Sequence, residues 1–367
     1  MNKKNLKIFN NSRVIVTGHT GFKGSWLTAW LKELGAKVMG IALDPHTYPS
    51  HFKVSQINKG IKDVRLDIRD RKNLKKKIIA FKPNFVFHLA AQAIVEKSYR
   101  DPLLTWQSNV FGTLNILESL RKLKNKCNVV IITSDKCYFN REIHYGYKET
   151  DVLGGKDPYS ATKASAEILI KSYVNSFFSN KSKIRIATAR AGNVIGGGDW
   201  AGNRIIPDCV RSWSNNKKAK LRNPNSTRPW QHVLEAVGGY LCLAINLANN
   251  KKIHGESFNF GPSLSKEHSV LELVNIMSKY WSNVSWEKTP KSKQKFFESE
   301  LLRLNCKKAN KLLKWKTVLK FDELISMVAD WYKYYLNNKN TLVITSQQIK
   351  KYQSLAVKRG LGWAKIN

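Results

Sequence analysis

Residues 13–24 read Arg-Val-Ile-Val-Thr-Gly-His-Thr-Gly-Phe-Lys-Gly, and this stretch decides the fold. Arg13 to Val16 is a short β-branched run of the kind that forms a buried parallel strand. Glycines follow at 18, 21 and 24, and then an amphipathic pattern runs through Trp26, Leu27, Trp30, Leu31 and Leu34 until Gly35 closes it. A strand, a glycine turn and a helix in that order predict a dinucleotide-binding βαβ unit. Gly18 permits the tight turn, Gly21 lets backbone approach a pyrophosphate, and Gly24 allows close helix packing; Phe22 and Lys23 lie between them. The helix N-terminus favours the negative charge. Asp44 ends the next strand, Lys37 to Ala42, where a carboxylate accepts ribose hydroxyls. An acid there disfavours the extra phosphate of NADP, so the expected cofactor is NAD.

Outward from this unit the same alternation continues. Asn84 to Leu89 and Asn128 to Thr133 read as further buried strands, separated by helical patterns. A long helix follows from about Pro158 to Phe178, and then a strand from Lys183 to Arg190. Such alternation predicts an α/β fold with a doubly wound parallel sheet, the Rossmann arrangement. Beyond 190 the pattern becomes irregular, punctuated by Pro207, Pro224 and Pro229. We expect a dinucleotide-binding domain over 10–190 with a returning segment near 229–261, and a smaller mixed α/β lobe from 191–228 and 262–367. The aromatic stripe Trp331, Tyr332, Tyr334 and Tyr335 near the end reads as core.

Composition narrows the class. The chain has 367 residues, 42% of them hydrophobic and 11% aromatic, enough to bury a large core and too much for a disordered tail. No apolar run reaches the length of a membrane span, and the opening residues lack an apolar stretch with a cleavage site, so a cytoplasmic protein is expected. Five cysteines are scattered and nowhere form a C-x-x-C pair. Neither a disulfide framework nor a metal site is expected from them. The net charge of +37 comes from 63 Lys and Arg against 26 Asp and Glu. Lysines in short clusters, without a nucleic-acid motif, read as a solvated surface, and no nucleic-acid partner is expected.

Tyr159 and Lys163 stand four apart at the start of a predicted helix, so both project from one face. An ammonium beside a phenol favours the phenolate, which is a base able to take a proton from a sugar hydroxyl. Together with the glycine turn, this pair resembles the extended branch of the short-chain dehydrogenase/reductase superfamily. Just past a buried strand lies Thr133-Ser134-Asp135-Lys136-Cys137-Tyr138. Ser134 can donate to a substrate hydroxyl. Asp135 reads equally as a loop cap and as an acid beside a redox centre, and Lys136 equally as a surface charge and as a functional group.

A narrower resemblance rests on Thr17 to Leu27 (TGHTGFKGSWL), Thr133 to Tyr138 (TSDKCY), Gly154 to Tyr159 (GGKDPY), Gly192 to Trp200 and Arg222 to Val233 (RNPNSTRPWQHV). In this order, over about 10–335, they are similar to the CDP-glucose 4,6-dehydratases. The resemblance implies a lyase that recycles NAD, acts on a nucleotide sugar and assembles as a dimer or tetramer. It implies Tyr159 as the C4 base, assisted by Lys163 and Ser134, with Asp135 protonating the departing C6 hydroxyl. Related dTDP-glucose and GDP-mannose dehydratases carry Glu where this chain has Lys136; the lysine removes the C5 proton or positions a water. The resemblance also implies that Asp67 binds adenine, that Leu89, Ala90, Ala91 and Gln92 run along the cofactor, and that Asn193, Arg204, Arg222, Arg228 and His232 line the sugar-nucleotide pocket. For Trp230 burial in the core is preferred over base stacking. The chain departs from the family at Ile143, Tyr145, Asn203 and Phe297-Glu298.

Overall fold

The computed structural model describes residues 5–179, 181–263, 268–281, 284–289 and 301–366, so the departure at Phe297-Glu298 lies outside the described residues. Seven strands form one sheet: β1 (Arg13–Thr17), β2 (Lys37–Ala42), β3 (Lys62–Arg65), β4 (Phe85–His88), β5 (Cys127–Ile132), β6 (Ile184–Ala191) and β7 (Ser257–Phe260). Their order is β7-β6-β5-β4-β1-β2-β3. Every neighbouring pair is parallel, as in Val14 opposite Val38 on one side and Phe85 on the other. The order reverses between β1 and β4, and the crevice at their carboxyl ends is where ligands of such sheets bind.

The strands are apolar on both faces because both faces are covered. Val14, Val16, Phe85 and Phe87 point into one core with Trp26 and Trp30 of α1 (Phe22–Glu33). Ile15, Met39, Val86, Val129 and Ile131 point into the other. There they meet α2 (Arg71–Phe81), α3 (Gly112–Leu120) and α4 (Pro158–Phe177) through Leu74, Ile78, Ile116, Leu117, Ile170 and Val174. β3 was not expected: its Lys-Asp-Val-Arg sequence lies at a sheet edge and is mostly exposed, so it carries no apolar run.

Past β6 the chain forms α5 (Ile205–Trp213) and α6 (Val233–Asn249). The latter is apolar on nearly every side and buried throughout, which fits a helix enclosed by other elements. Small pairings join Val194–Ile195 to Gln231–His232, Thr227–Arg228 to His268–Ser269, and Ala219–Leu221 to Trp286–Lys288. They hold the loops that overhang the carboxyl end of the sheet. α7 (Val270–Ser278) and α8 (Phe321–Asn338) complete this lobe. Trp331 and Tyr332 of α8 are fully buried, as a core stripe requires.

α9 (Leu342–Lys358) departs from the expected division, in which 262–367 belongs to the smaller lobe. Tyr352 packs edge-on against Trp30 of α1 at 5.6 Å, Trp363 lies 6.4 Å from the same ring, and Leu6 N–H donates to the Lys365 carbonyl at 3.2 Å. The last part of the chain therefore rests on the dinucleotide-binding half. Among the described residues no helix is long and apolar enough to cross a membrane. The cysteines are free thiols, four of them buried.

Candidate active site

The glycine turn is built on contacts that only glycine tolerates. Gly18 has φ +75°, and a Cβ there would stand 2.7 Å from Ala90 N. A Cβ on Gly24 would fall 2.1 Å from the Gly18 carbonyl oxygen, so α1 lies almost against the turn. Gly21 is the N-cap of α1, and no side chain caps that helix. Its first-turn N–H groups are thus left for an anion, as a pyrophosphate site demands. These are the features a dinucleotide needs, and the residues fit it.

Around the turn, buried polar groups fix the two strand ends. Ala90 N–H donates to Thr17 Oγ1 at 3.2 Å, and Thr17 Oγ1 lies 2.7 Å from His88 Nδ1. His88 Nε2 reaches Thr113 Oγ1 at 3.0 Å, and Thr113 Oγ1 donates to the Asn109 carbonyl at 2.7 Å. Thr113 has spent its proton, so His88 carries hydrogen on Nε2 and accepts at Nδ1. Burial holds its pKa down at about 3, consistent with a neutral ring. Asn109, in a single π-helical turn, donates to the Gln92 carbonyl at 3.1 Å and to Thr162 Oγ1 at 2.9 Å. The Gln92 side chain is occupied within its own loop, with Ile94 and Thr105. Leu89 N–H donates to the Thr17 carbonyl, and Ala91 follows Ala90 along the same crevice. Asp44 is exposed and pairs with Arg65 at 2.9 Å. Desolvation is the largest single influence on Asp67 and raises its pKa, but the Arg69 guanidinium and backbone N–H together outweigh it and hold the carboxyl below the usual range.

The second half of the site is a turn and a helix brought together. Ser134, Asp135 and Lys136 lie in a short 3₁₀ turn at the end of β5. Ser134 Oγ donates to Asp135 Oδ1 at 2.9 Å and accepts from Lys136 N–H at 3.2 Å. Asp135 is 7% exposed, and burial raises its pKa although Lys136 and Lys23 oppose the shift. Its Oδ2 would lie 3.1 Å from a Cβ on residue 192, so Gly192 leaves it room. Tyr159 and Lys163 stand on the first two turns of α4, both buried, with Lys163 Nζ 5.8 Å from the Tyr159 ring centre.

Here the electrostatics correct the sequence reading, which gave Tyr159 a pKa lowered by Lys163. Burial instead pushes the phenol up to about 12, and the group that most opposes this is Ser134 through a hydrogen bond. Lys163 is itself brought down to about 8, first by burial and then by Lys23. Burial disfavours the charged form of both groups, leaving the phenol protonated and Lys163 still largely cationic at neutral pH.

Lys23, in the first turn of α1, is likewise drawn down to about 8 by burial, with Asp135 opposing. Arg204 pairs with Asp199 at 2.7 Å and carries its charge near Tyr159. Arg222 donates to the Asn203 carbonyl at 3.0 Å, and Asn193 is exposed. Arg228 lines a cavity of about 760 Å³ with Trp230, His268, Arg303 and Phe321. Trp230 is nearly buried and donates to the His268 carbonyl at 3.0 Å, as core packing predicts. His232 is fully buried, meets Trp26 edge-on, and its Nδ1 accepts from Leu234 N–H as the cap of α6, while its Nε2 has no hydrogen-bond partner among the described residues. Its place within R-P-W-Q-H-V gave no sign of this.

Sequence reasoning missed His88, Asn109, Asp199, Glu167 and Arg190. Each is a buried polar residue inside an otherwise ordinary strand, helix or glycine-rich loop, where one-dimensional pattern carries no signal for its partners. Among the described residues no cluster of His, Cys, Asp or Glu could hold a metal ion.

A GDP-mannose 4,6-dehydratase family model matches residues 15–328. The chain is 42% identical over 355 residues to CDP-glucose 4,6-dehydratase of Salmonella typhimurium, covering 94% of this chain and 97% of that one. It is 25% identical to UDP-glucose 4-epimerase of Mycoplasma genitalium, over 89% and 98% of the two chains. Among solved structures, dTDP-glucose 4,6-dehydratase of Bacillus anthracis in complex with NAD has a TM-score of 0.69 at 20% identity, covering 88% of this chain and 96% of that one. An epimerase of Methanothermobacter thermautotrophicus reaches a TM-score of 0.77 at 23% identity, covering 94% and 96%.

Proposed function

The chain belongs to the GDP-mannose 4,6-dehydratase family, and on that premise we propose that it dehydrates CDP-glucose to CDP-4-keto-6-deoxyglucose with NAD as a recycled cofactor. One observation carries the reading. A buried Asp135 with a raised pKa is hydrogen-bonded to Ser134, which in turn meets Tyr159. An acid beside a redox pair serves elimination and has no task in simple epimerisation.

The residues divide the work. Tyr159 would receive the proton of the C4 hydroxyl, and Ser134 would orient that hydroxyl by turning to it the one proton it otherwise gives to Asp135 Oδ1. NAD, when bound, would supply the hydride acceptor and donor of the cycle, and its positive charge would favour the Tyr159 phenolate. A C4 ketone acidifies the C5 hydrogen, and Lys136 is the candidate group to remove it. Asp135, whose acid form burial favours, would donate to the C6 oxygen as it leaves as water. Gly18, Gly21, Phe22, Lys23 and Gly24 would hold the pyrophosphate of the cofactor, with Asp44 at the ribose and Asp67 at the adenine. Arg204, Arg222 and Arg228, near Asn193, supply cations for the substrate pyrophosphate.

Leu103, Trp106, Phe111 and Ile168 are exposed on neighbouring helices of the dinucleotide-binding half, which supports a homo-oligomer formed through that face. The cytoplasm, where nucleotide sugars are made, suits the activity.

The test is incubation of the purified protein with NAD and, separately, CDP-, UDP-, dTDP- and GDP-glucose, with mass spectrometry and NADH absorbance in parallel. Loss of one water from CDP-glucose alone without net NADH is the expected result. An isomer of unchanged mass would overturn the dehydratase reading, and loss of water from another nucleotide sugar would overturn the choice of base.

A further inference from the structure

One buried ion pair touches both ends of the catalytic turn. Glu167 lies one helical turn beyond Lys163 on α4, and Arg190 lies near the end of β6; their side chains are 2% and 3% exposed and meet at 2.8 Å. Glu167 Oε1 accepts from Thr133 Oγ1 at 2.5 Å, immediately before Ser134. Arg190 Nη1 donates to Tyr138 Oη at 2.8 Å, two residues beyond Lys136. The rest of the network is anchored elsewhere. Glu167 Oε2 also accepts from Thr188 at 3.0 Å and Ser257 at 3.2 Å, Arg190 Nη1 donates to the Glu149 carbonyl at 3.1 Å, and Tyr138 Oη donates to Asn259 Oδ1 at 2.8 Å.

Within the turn itself the backbone bonds are long: Cys137 N–H to the Ser134 carbonyl and Tyr138 N–H to the Asp135 carbonyl are both 3.3 Å. Its position is therefore set from outside. A buried ion pair is weak as a source of stability, since well-packed apolar groups often replace one without loss, so its presence calls for a positional explanation. Resting on the function proposed above, we infer that Glu167 and Arg190 are positioning residues that fix the Ser134–Asp135–Lys136 turn against the helix bearing Tyr159 and Lys163. The pair joins three elements, β6, α4 and the turn after β5. Tyr159 and Lys163 keep their places by belonging to α4, whereas the turn bearing Asp135 and Lys136 is held by this clamp together with the backbone bonds of Thr133 N–H to the Ala189 carbonyl and of Gly154 N–H to the Cys137 carbonyl. Loosening its Tyr138 end should harm elimination more than oxidation at C4.

Tyr138→Phe keeps the ring stacked on Tyr147, 5.1 Å away, and leaves the ion pair intact. Arg190→Lys keeps the charge and loses the fork that spans Glu167 and Tyr138. Each full-length variant is loaded with NAD and mixed with CDP-glucose in a stopped-flow instrument, following NADH absorbance and then product mass. The expected result is C4 oxidation within about twofold of wild type and product formation slower by roughly tenfold, so that bound NADH accumulates. Unchanged turnover in Tyr138→Phe would overturn the inference, as would equal loss in both half-reactions, the mark of general damage. Should wild type leave CDP-glucose untouched, the substrate reading fails alone, and the two half-reactions are then compared on whichever nucleoside-diphosphate sugar it does turn over.

Discussion

Gly24→Ala tests the cofactor cradle at its tightest point. The new Cβ would lie 2.1 Å from the Gly18 carbonyl oxygen, 2.8 Å from its carbon and 3.0 Å from His19 Cα. All three are backbone atoms, so no side chain can turn aside. Ordinary contact begins at 3.4 Å, and the carbonyl oxygen must recede by the difference of about 1.3 Å. Two effects oppose one another. Replacing a helical glycine by alanine gains up to about 1 kcal/mol in helix propensity, whereas forcing extra volume into a packed contact costs about 1–3 kcal/mol. The contact should win by about 1 kcal/mol, lowering Tm by roughly 1–2 °C in a chain of this size. Binding should suffer more, because the displaced atoms belong to the turn on which a pyrophosphate would rest, and a misplacement of about 1 Å can cost a hundredfold. Titration calorimetry with NAD and a thermal melt measure the two quantities separately. A variant that binds NAD within about twofold of wild type, with an unchanged Tm, would refute the claim that Gly24 is there for close approach.

Asp135→Asn should let C4 oxidation proceed and stop the loss of water, leaving bound NADH; undiminished product formation would remove Asp135 from the mechanism. Because burial raises the Asp135 pKa, its acid form survives to higher pH than an ordinary carboxyl, and turnover should fall as pH climbs through that raised value; the same alkaline limb in Asp135→Asn would assign it to another group. Gly192→Ala brings a Cβ to 3.1 Å from Asp135 Oδ2 and should slow product formation with little change in Tm, and a variant of wild-type rate would show that the carboxyl has slack. Glu235 is buried under α9, accepts from Val318 and Leu319 N–H and from Tyr352, and has a pKa raised by desolvation to about 7. The folded state thus binds this proton more tightly than the unfolded one. Its contribution to stability is present below the ordinary carboxylate pKa of 4.5 and is lost as pH rises towards 7. Glu235→Gln can keep all three contacts, so its Tm relative to wild type should improve over that interval, and a pH-independent difference would contradict the shift.

Much of the dinucleotide-binding half was legible because its signals are local. The residues that make β1, β2 and α1 also set their boundaries: apolar strands covered on both faces, a glycine turn and a terminating Gly35. β3 was not, since an exposed edge strand needs no apolar run. α9 escaped for a different reason. Its periodicity is compatible with a helix anywhere, and only the meeting of Tyr352 with Trp30 and Glu235, residues far away in sequence, decides where it rests.

For the catalytic residues, identity was legible and electrostatic state was not. Spacing places Tyr159 and Lys163 on one face of α4, and the model-peptide expectation is that the cation lowers the phenol. That expectation presumes solvent. In the folded chain both groups are desolvated, and Lys23, brought in from another element, adds a like charge near Lys163 that no spacing rule contains. The same holds for His232, whose motif suggests a ligand contact while its Nδ1 caps α6 and its Nε2 is buried without a partner among the described residues. A resting phenol near 12 stays protonated at neutral pH even though Lys163, near 8, and Arg204 keep positive charge close to it. To act as a base near neutral pH the phenol would need a further cation beside it, and the positive charge of a bound NAD would supply one.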